Sequence, residues 1–512
     1  MTNLANEFGS VNLGQGFPDE EGPESMKQIV GKAVYDFPNQ YPPALGIPEL
    51  RKAIATHSKR FSGLPVDWQT ETVVTVGATE ALASAFMGFL NEGDEVIMLE
   101  PLYDSYAAMA RRAGGKIVPV SLQPPDWNIP RDKLEAAFSP RTKAILVNSP
   151  HNPTGTAFSK PDLEAIAALC KQHDVIAICD EVYEHLTYEG TKHISLRTLP
   201  GMAERSIRIG SAGKTFSFTA WKVGWATGPA HLIAALAKAH SFLVFTVPSN
   251  LQRAVAHGLD HESSFYCGLS TSLQAKRDLL EGHLKTAGFS TLRAHGSYFI
   301  TADISKLAHQ DEKDVEFCYR ITKEAGVTAL PVSAFYVSDG APRNLIRFCF
   351  CKNDAKLEDA APAVKQPTDW VTDAQGKEEL IQLISSRGFG VFNGDSTLAA
   401  QRVEELRCLL PGLSLRAAER SSHPLVKLLA DMDQTLERLL SLQQLLPDVD
   451  VATLVSKRLD LLLEEPEEVD KAVRRKADAV GFDLADADQW FVNSPDAWHE
   501  RHWTRRQAAR RR

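Results

Sequence analysis

Short apolar runs that alternate with helical patterns, between residues 73 and 228, constrain the fold of this chain more than any other feature. The runs span residues 73–76, 95–99, 144–147, 175–179 and 206–209. Their apolar character is continuous rather than alternating, which is typical of strands covered on both faces. Strands separated by helices in this manner predict an α/β fold with a mainly parallel central sheet flanked by helices.

Length and composition indicate a folded chain with more than one domain. The chain has 512 residues, which exceeds the ~250–300 residues at which single cores stop growing. The composition, 44% hydrophobic and 24% charged, is that of a globular protein. No run approaches the ~20 apolar residues of a membrane span. The net charge of −9 argues against nucleic-acid binding over the whole surface, although residues 501–512 are locally basic.

The cysteines and the N-terminus bear on the compartment. Seven cysteines are scattered with neither disulfide-framework nor zinc spacing, so we expect reduced thiols and no metal site. The first residues lack both an apolar signal core and the Arg-rich, acid-poor character of a transit peptide. We therefore expect a cytoplasmic protein. A chain truncated at its N-terminus would be compatible with an organelle as well.

Polar residues follow each apolar run, where the carboxyl ends of parallel strands meet and where open α/β sheets bind ligands. These residues are 77–80, 100–103, 148–153, 180–183 and 210–214. We therefore expect one functional site that is built from five strand ends.

Two of these strand ends carry charges that are costly to bury. Lys214 lies in Ser211-Ala212-Gly213-Lys214, directly after an apolar run, and Asp180 ends the run before it. A solvated turn lysine and a helix N-cap are the alternative interpretations. A lysine that forms a Schiff base and a carboxylate that binds a protonated pyridine nitrogen are together what a pyridoxal 5′-phosphate enzyme needs.

A phosphate cradle for such a cofactor is also present in the sequence. Gly77, Ala78 and Thr79 open a helix after a strand, so their backbone amides and the hydroxyl form an anion site. Ser211 and Lys222 could reach the same phosphate.

Three further strand-end residues could contact the cofactor ring. Tyr103 could stack on the ring face. Tyr183 and Asn152 could both hydrogen-bond to its phenolate oxygen. Packing on the sheet edge for Tyr183 and turn formation for Asn152 are the alternatives.

Arg347 is a charge inside the apolar stretch 344–350. Arginine is rarely buried without a partner, and the α-carboxylate of an amino-acid substrate would provide a bidentate one. The alternative is an ion pair with an acid of the core.

Together these residues resemble the fold-type I pyridoxal-phosphate aminotransferases of class I, within them the kynurenine/glutamine–phenylpyruvate aminotransferase branch. The resemblance covers about residues 11–365. Its motifs are residues 11–19, 151–155, 180–183, 211–214 and 346–350, which match the branch in order and spacing.

The resemblance implies a domain division and a role for each site residue. Residues 1–40 and 255–365 would form a small α+β domain, and residues 41–254 the large cofactor-binding domain. The implied roles are Schiff base for Lys214, pyridine nitrogen for Asp180, phenolate oxygen for Tyr183 and Asn152, phosphate for Ser211 and Lys222, and α-carboxylate for Arg347 and the backbone of Gly16. Tyr41 resembles the tyrosine that this family lends to the phosphate of a neighbouring subunit, so a homodimer is implied.

The activity implied is ping-pong transfer of an amino group from an L-amino acid to a 2-oxo acid. The site region offers no obvious second arginine for a side-chain carboxylate, whereas Tyr103, Phe245 and Phe17 are apolar candidates for a side-chain pocket. Aromatic or sulfur-containing donors, of the kynurenine, glutamine, methionine or phenylalanine type, are therefore favoured.

Competing functions use the same residues. A pyridoxal-phosphate lyase, acting by β-elimination from cysteine conjugates or by cyclopropane-carboxylate formation, is one. A non-catalytic regulator is the other, and it would need a nucleic-acid-binding module in the C-terminal extension.

The extension has a different sequence style. A closing helix is predicted over 354–365, followed by a linker over 366–380. Over 381–512, Leu-Leu-Pro motifs at 409–411 and 445–447 recur at a step of 36 residues (447 − 411), which indicates stacked helical repeats. These repeats are similar to those of mitochondrial transcription termination factors, but their many acidic residues disfavour a strong phosphate-binding groove.

Overall fold

The structure is a computed structural model, and it describes residues 1–364, 396–410, 427–447, 451, 454–455 and 459–480. The chain divides into two compact units, Met1–Gln366 and Pro367–Arg512. No helix of the described ranges is both long and apolar enough to cross a membrane.

The strands of the first unit form three sheets. They are β1 (Val11–Asn12), β2 (Thr72–Val76), β3 (Glu95–Glu100), β4 (Lys116–Ser121), β5 (Thr142–Asn148), β6 (Ile176–Asp180), β7 (Ser206–Ser211), β8 (Val223–Thr227), β9 (Ser290–Leu292), β10 (Phe299–Asp303), β11 (Val327–Thr328), β12 (Leu330–Pro331) and β13 (Leu345–Cys349).

The helices of the first unit alternate with these strands. They are α1 (Thr2–Glu7), α2 (Glu24–Asp36), α3 (Pro48–Ser62), α4 (Gly77–Phe89), α5 (Asp104–Arg112), α6 (Arg131–Ala136), α7 (Lys160–Gln172), α8 (Ala212–Thr215), α9 (Ala230–Leu243), α10 (Ser249–His261), α11 (Ser263–Thr286), α12 (Asp314–Arg320) and α13 (Asp354–Val364).

The central sheet has seven strands in the order β2-β8-β7-β6-β5-β3-β4. β8 runs antiparallel to both of its neighbours, and the other pairs in the sheet are parallel. The predicted mainly parallel sheet is therefore confirmed, and all five predicted strands belong to it. The sequence interpretation missed β4, a half-exposed edge strand that contains Pro119, and β8, which follows the Lys214 turn.

Apolar side chains from helices cover both faces of this sheet. One face packs on α4, α5 and α9, where Phe86 and Leu236 are fully buried. The other face packs on α6 and α7, where Leu134 and Ile166 are fully buried. This two-sided burial explains the continuous apolar runs, and it leaves the carboxyl strand ends as the polar edge.

The second sheet of this unit is antiparallel, in the order β12-β13-β10-β9. In its register Arg347 of β13 lies opposite Thr301 of β10. Residues of α11, α12 and α13 share one apolar core with it, so the predicted small α+β domain is present.

One apolar core contains residues from both sides of the predicted domain boundaries at residues 40 and 254. α2 and α10 lie in one apolar core with Trp225 of β8. The reason is that Met26 of α2, fully buried, needs cover that the α10 surface provides.

The described residues of the second unit form helices around an apolar core of their own. These helices are α14 (Ser396–Leu409), α15 (Met432–Leu445) and α16 (Pro466–Val480). They begin 36 (432 − 396) and 34 (466 − 432) residues apart, close to the predicted step. The predicted linker 366–380 and the basic segment 501–512 lie outside the described residues.

Candidate active site

Asp180 lies at the carboxyl end of β6, the centre of the large sheet, and is buried. One carboxylate oxygen accepts a hydrogen bond from the Tyr106 hydroxyl at 2.5 Å, and the other accepts one from the Val182 amide at 3.3 Å. Neither partner carries a positive charge. Burial therefore raises the pKa of Asp180, and a cationic ligand would relieve this cost.

Lys214 lies in the short helix α8 directly after β7 and is partly buried. Its Nζ donates a hydrogen bond to the Tyr298 hydroxyl at 2.5 Å, and that hydroxyl donates to the Gly16 carbonyl at 2.6 Å. The Tyr183 ring lies 5.7 Å from Nζ and packs edge-on against Tyr298. Desolvation lowers the pKa of Lys214, which favours the neutral, nucleophilic amine.

Arg347 projects from β13 of the small domain into the same region and is buried. Its Nη1 donates to the side-chain oxygen of Asn152 at 2.9 Å, and its Nη2 donates to the Gly14 carbonyl at 2.6 Å. Its Nε has no hydrogen-bond partner. The rings of Phe299 and Phe335 lie over the guanidinium, 4.1 Å and 4.8 Å from its Cζ.

Asp180, Lys214 and Arg347 share one electrostatic property. Burial shifts the pKa of each toward the neutral form, upward for the acid and downward for the two bases. Within the described part of the chain none of them forms an ion pair, so the core-acid alternative for Arg347 finds no support there. Three desolvated ionisable groups that form no ion pair among the described residues would be completed by a ligand that brings opposite charges.

The N-terminus of α4 lies beside the side chain of Lys222. Gly77 has a positive φ of 70°, and a Cβ there would approach the Lys222 Nζ to 3.3 Å. Gly224 of β8 packs so tightly on this turn that its Cβ would lie 2.5 Å from the Gly77 carbonyl carbon. Ser211 pairs with Gly224 across β7 and β8. The predicted cradle of Gly77, Ala78, Thr79, Ser211 and Lys222 is therefore assembled in one place.

Two of the predicted aromatic residues, Tyr103 and Tyr41, lie in different parts of the structure. Tyr103 packs its ring against Tyr106, 5.5 Å between centroids, and so lies beside Asp180. Tyr41 is 81% exposed and packs edge-on against Phe245, which is also exposed. Within this chain Tyr41 and Phe245 therefore form a surface of their own, away from the Asp180 contacts.

Sequence reasoning missed two tyrosines and one carbonyl. Tyr106 lies on α5, three residues after Tyr103 at the N-cap of this helix, and this spacing could have indicated it. Tyr298 and the carbonyl of Gly14 leave no comparable pattern in the sequence.

A different buried polar cluster lies next to Asp180 in the sequence. Glu181 and Glu184 both contact the buried guanidinium of Arg208. His57 and His185 face each other with their Nε2 atoms 3.1 Å apart, and with Glu184 they place ligand-type atoms within 4.8 Å. Arg208 forms ion pairs with both acids, so this cluster, unlike Asp180, holds a cation of its own.

The residues at the Lys214 site fit pyridoxal 5′-phosphate. Asp180 has no ion-pair partner among the described residues, the N-terminus of α4 lies beside Lys222, and burial lowers the pKa of the Lys214 amine. Asn152 uses its side-chain oxygen on Arg347, which leaves its amide hydrogens available for a ligand.

The sheet order, the second α+β domain and a lysine at the carboxyl edge define a fold-type I pyridoxal-phosphate transferase. More narrowly, the chain belongs to the class I and class II aminotransferase family, whose pattern matches residues 10–364, and it is a transaminase-type enzyme.

The alignments with known relatives lie in the first unit and cover nearly the whole length of each relative. N-Succinyldiaminopimelate aminotransferase from Mycobacterium tuberculosis is 43% identical, with a TM-score of 0.70 over 71% of this chain and 95% of that one. Human kynurenine–oxoglutarate transaminase 1 is 40% identical over 69% of this chain and 92% of its own. The crystal structure of an Escherichia coli methionine aminotransferase is 37% identical, with a TM-score of 0.69 over 71% and 94%.

Proposed function

We propose that this enzyme uses pyridoxal 5′-phosphate to move the amino group of an aromatic or sulfur-containing L-amino acid to a 2-oxo acid, in a ping-pong cycle. The observation that carries the proposal is the convergence of Asp180, Lys214 and Arg347, three desolvated ionisable groups that form no ion pair among the described residues. A pyridinium nitrogen, an aldehyde and an α-carboxylate would satisfy them in turn.

When bound, the cofactor supplies an electron sink for the electron pair left at the substrate α-carbon. Asp180 binds the protonated ring nitrogen and keeps it protonated, because the pair offsets the cost of burying its carboxylate. Tyr183 and the Asn152 amide donate hydrogen bonds to the phenolate oxygen. The α4 N-terminus, Ser211 and Lys222 hold the phosphate.

Lys214 moves the proton. Its Nζ would take the α-proton of the bound amino acid and pass it to the cofactor within the same half-reaction, and the second half-reaction would run this transfer in reverse. Desolvation favours the neutral amine, which has the lone pair that this step needs. The hydrogen bond to Tyr298 holds Nζ in place, and through Gly16 it links the amine to the N-terminal segment.

Arg347 binds the α-carboxylate, which all donors and acceptors share. Its Nε, which has no hydrogen-bond partner among the described residues, and the second hydrogens of its Nη atoms leave it donors for a bidentate pair. The two phenylalanine rings restrict its guanidinium to one plane, which orients the substrate.

The lysines around the site already have partners, which supports an amino-acid substrate without a second carboxylate. Lys276, which lines the cavity beside Lys214, is paired with Glu20. Lys352 donates to the Phe17 carbonyl at 2.9 Å and lies near Asp19. Both lysines are therefore already engaged, and the kynurenine and methionine activities in the names of two relatives agree with this choice.

We further propose a homodimer that works in the cytoplasm. The exposed aromatic surface of Tyr35, Tyr41, Phe242 and Phe245 supports a subunit contact, since such side chains are costly to leave in water. Tyr41 would then reach the phosphate of the partner subunit. The six free cysteines of the described residues support a reducing compartment.

Amino transfer itself tests the proposal. Purified full-length protein with the cofactor is incubated with 2-oxoglutarate or pyruvate and one donor: kynurenine, phenylalanine, methionine, aspartate or N-succinyldiaminopimelate. We expect the first three to give amino transfer at rates above aspartate. A cysteine S-conjugate that releases ammonia and pyruvate in the absence of any oxo acid, with no amino transfer from the donors above, would support the lyase, and no cofactor absorbance in the visible range would refute both.

A further inference from the structure

Two cysteines at the end of β13 face each other beside the active site. The Sγ atoms of Cys349 and Cys351 lie 3.1 Å apart, and both side chains are buried. The sulfurs would need to approach by only about 1 Å to reach the ~2.05 Å of a disulfide bond. Neither thiol has a task in the amino-transfer mechanism, so this pair is a separate chemical feature.

The surroundings give the two thiols different pKa values. Burial alone would raise the pKa of Cys349, but the hydrogen bond with Cys351 and the cations of Lys352 and Arg347 lower it to about 7. Burial raises the pKa of Cys351 well above its ordinary value. One sulfur is thus available as thiolate, the nucleophilic form, next to one that keeps its proton.

A narrow cavity reaches one member of the pair, Cys351, whose Sγ lies 3.1 Å from the Sγ of Cys349. Cys351 lines it together with Lys214 and Tyr298, and its lining also includes the ion pair of Lys276 with Glu20, whose side chain is half exposed. The cavity has room for a molecule about the size of water. A small peroxide could use this route, whereas a bulky disulfide such as oxidised glutathione could not.

We propose that Cys349 and Cys351 form an oxidation site, where hydrogen peroxide converts the two thiols into an intramolecular disulfide. The Cys349 thiolate attacks one peroxide oxygen, the O–O bond breaks, and the departing hydroxide takes a proton to become water. The Cys351 sulfur then attacks the resulting sulfenic sulfur, and the hydroxyl leaves with the Cys351 proton as a second water. The thiols lose two electrons, which the peroxide gains.

Oxidation would act on the site through the backbone, a consequence that rests on the proposed function. The Cys349 amide donates to the Leu13 carbonyl at 2.7 Å, and the Phe350 amide donates to the Tyr298 carbonyl at 3.1 Å. Drawing the two sulfurs together moves this backbone, and with it the tyrosine that holds Lys214. We expect amino transfer to slow by about tenfold or more, reversibly.

Mass spectrometry tests the site independently of turnover. Trypsin cleaves after Arg347 and Lys352, so the single peptide 348–352 contains both cysteines and no other. Full-length protein is treated with hydrogen peroxide, quenched in acid, alkylated with N-ethylmaleimide in denaturant and digested. We expect this peptide to appear unalkylated and two hydrogen atoms lighter, to form about tenfold faster than oxidation of the buried single thiol Cys318, and to revert with dithiothreitol.

Variants and a second oxidant sharpen the result. Cys267→Ser removes an exposed thiol and should leave disulfide formation unchanged. Cys351→Ala should abolish it and leave a Cys349 sulfenic acid, which dimedone traps once the protein is denatured. Oxidised glutathione should modify Cys267 and leave the pair reduced.

One outcome would overturn the oxidation site. It is a wild-type peptide that keeps two alkylatable thiols at peroxide levels that oxidise Cys267. Because the readout is a peptide mass, this failure differs from a failure to find amino transfer, which would leave the disulfide intact and refute only the proposed function.

Discussion

Asp180 and Glu181 are neighbours in the sequence and are both buried, yet they lie in opposite electrostatic environments. Glu181 contacts His193 at 3.0 Å and Arg208 at 2.9 Å and accepts a hydrogen bond from Ser195 at 2.7 Å. Burial would raise its pKa, but these partners lower it below the ordinary value. Asp180 lacks such partners, and burial raises its pKa.

The same contrast in charged partners separates the Arg208 network from the Lys214 site. The two acids of the Arg208 network form ion pairs with a buried cation, while no charged group of the Lys214 site forms an ion pair among the described residues. Since uncompensated buried charge is unfavourable, a folded protein keeps it only where a ligand completes it. Both regions are buried, so burial does not distinguish a structural charge from a functional one. The presence or absence of an oppositely charged partner within the protein does, and substitutions in each region can test this difference.

The largest effect is expected for Lys214→Ala. Amino transfer should fall by a factor of about 10⁴ or more, because no other group can move the α-proton. The free energy of unfolding should stay the same or rise, since the amine has no ion-pair partner to lose. Rate measurements with the cofactor added and urea unfolding without it check both parts. Lys143→Ala, at an exposed position, is the matched control.

The opposite pattern is expected for Arg208→Met. This change leaves Glu181 and Glu184 buried without their cation, which should cost about 3–5 kcal/mol of unfolding free energy. Urea unfolding measures the loss. Per folded molecule, the rate of amino transfer should change much less than the stability. A large loss of rate with unchanged stability would contradict the division into two regions.

Arg347→Lys should act on substrate binding. A lysine keeps the charge but loses the bidentate geometry, so kcat/KM should fall by about 10²-fold. Most of the loss should be in KM, because both half-reactions bind the same α-carboxylate. Steady-state kinetics with each substrate in turn measure the split. A variant with unchanged KM for the amino acid and the oxo acid would show that Arg347 is structural.

A smaller effect is expected from pH. Burial lowers the pKa of His185 to about 3, so the unfolded chain takes up a proton below pH 6.5 while the folded one does not. Stability is therefore complete above pH 6.5 and is lost as the pH falls toward 3. One such histidine contributes about 1 kcal/mol of loss between pH 6.5 and 5.5.

Urea unfolding at these two pH values checks the sign. His185→Gln should show a shallower loss than the wild type, and His231→Gln, at an exposed position, should match the wild type. Identical slopes in all three proteins would mean that the network does not hold His185 neutral.

The sequence predicted those parts of the site that a single strand and the turn after it can specify. A two-sided buried strand requires a continuous apolar run, so the runs before Asp180 and Lys214 were visible, and the polar residue after each run followed from topology. The edge strand β4 and the antiparallel β8 lack this pattern, and both were missed.

Contacts between the two domains could not be predicted. Tyr298 meets Lys214 across 84 residues of sequence, at a point fixed by the docking of one sheet on another. The carbonyls of Gly14 and Gly16 are ligands without a side chain, so no residue type marks them. For the extension, the repeat step of the helices followed from Leu-rich spacing, but its function stays a prediction because no described site accompanies it.

The segment from Leu13 to Asp19 is held through its main chain, and this has a consequence for protein engineering. The carbonyls of Gly14, Gly16 and Phe17 accept from Arg347, Tyr298 and Lys352, at 2.6, 2.6 and 2.9 Å. Substituting side chains alone would leave these acceptors in place. Deleting or inserting one residue would shift every acceptor by one register position. Libraries that vary the length of this segment would therefore test these main-chain hydrogen bonds, which libraries that vary its composition could not.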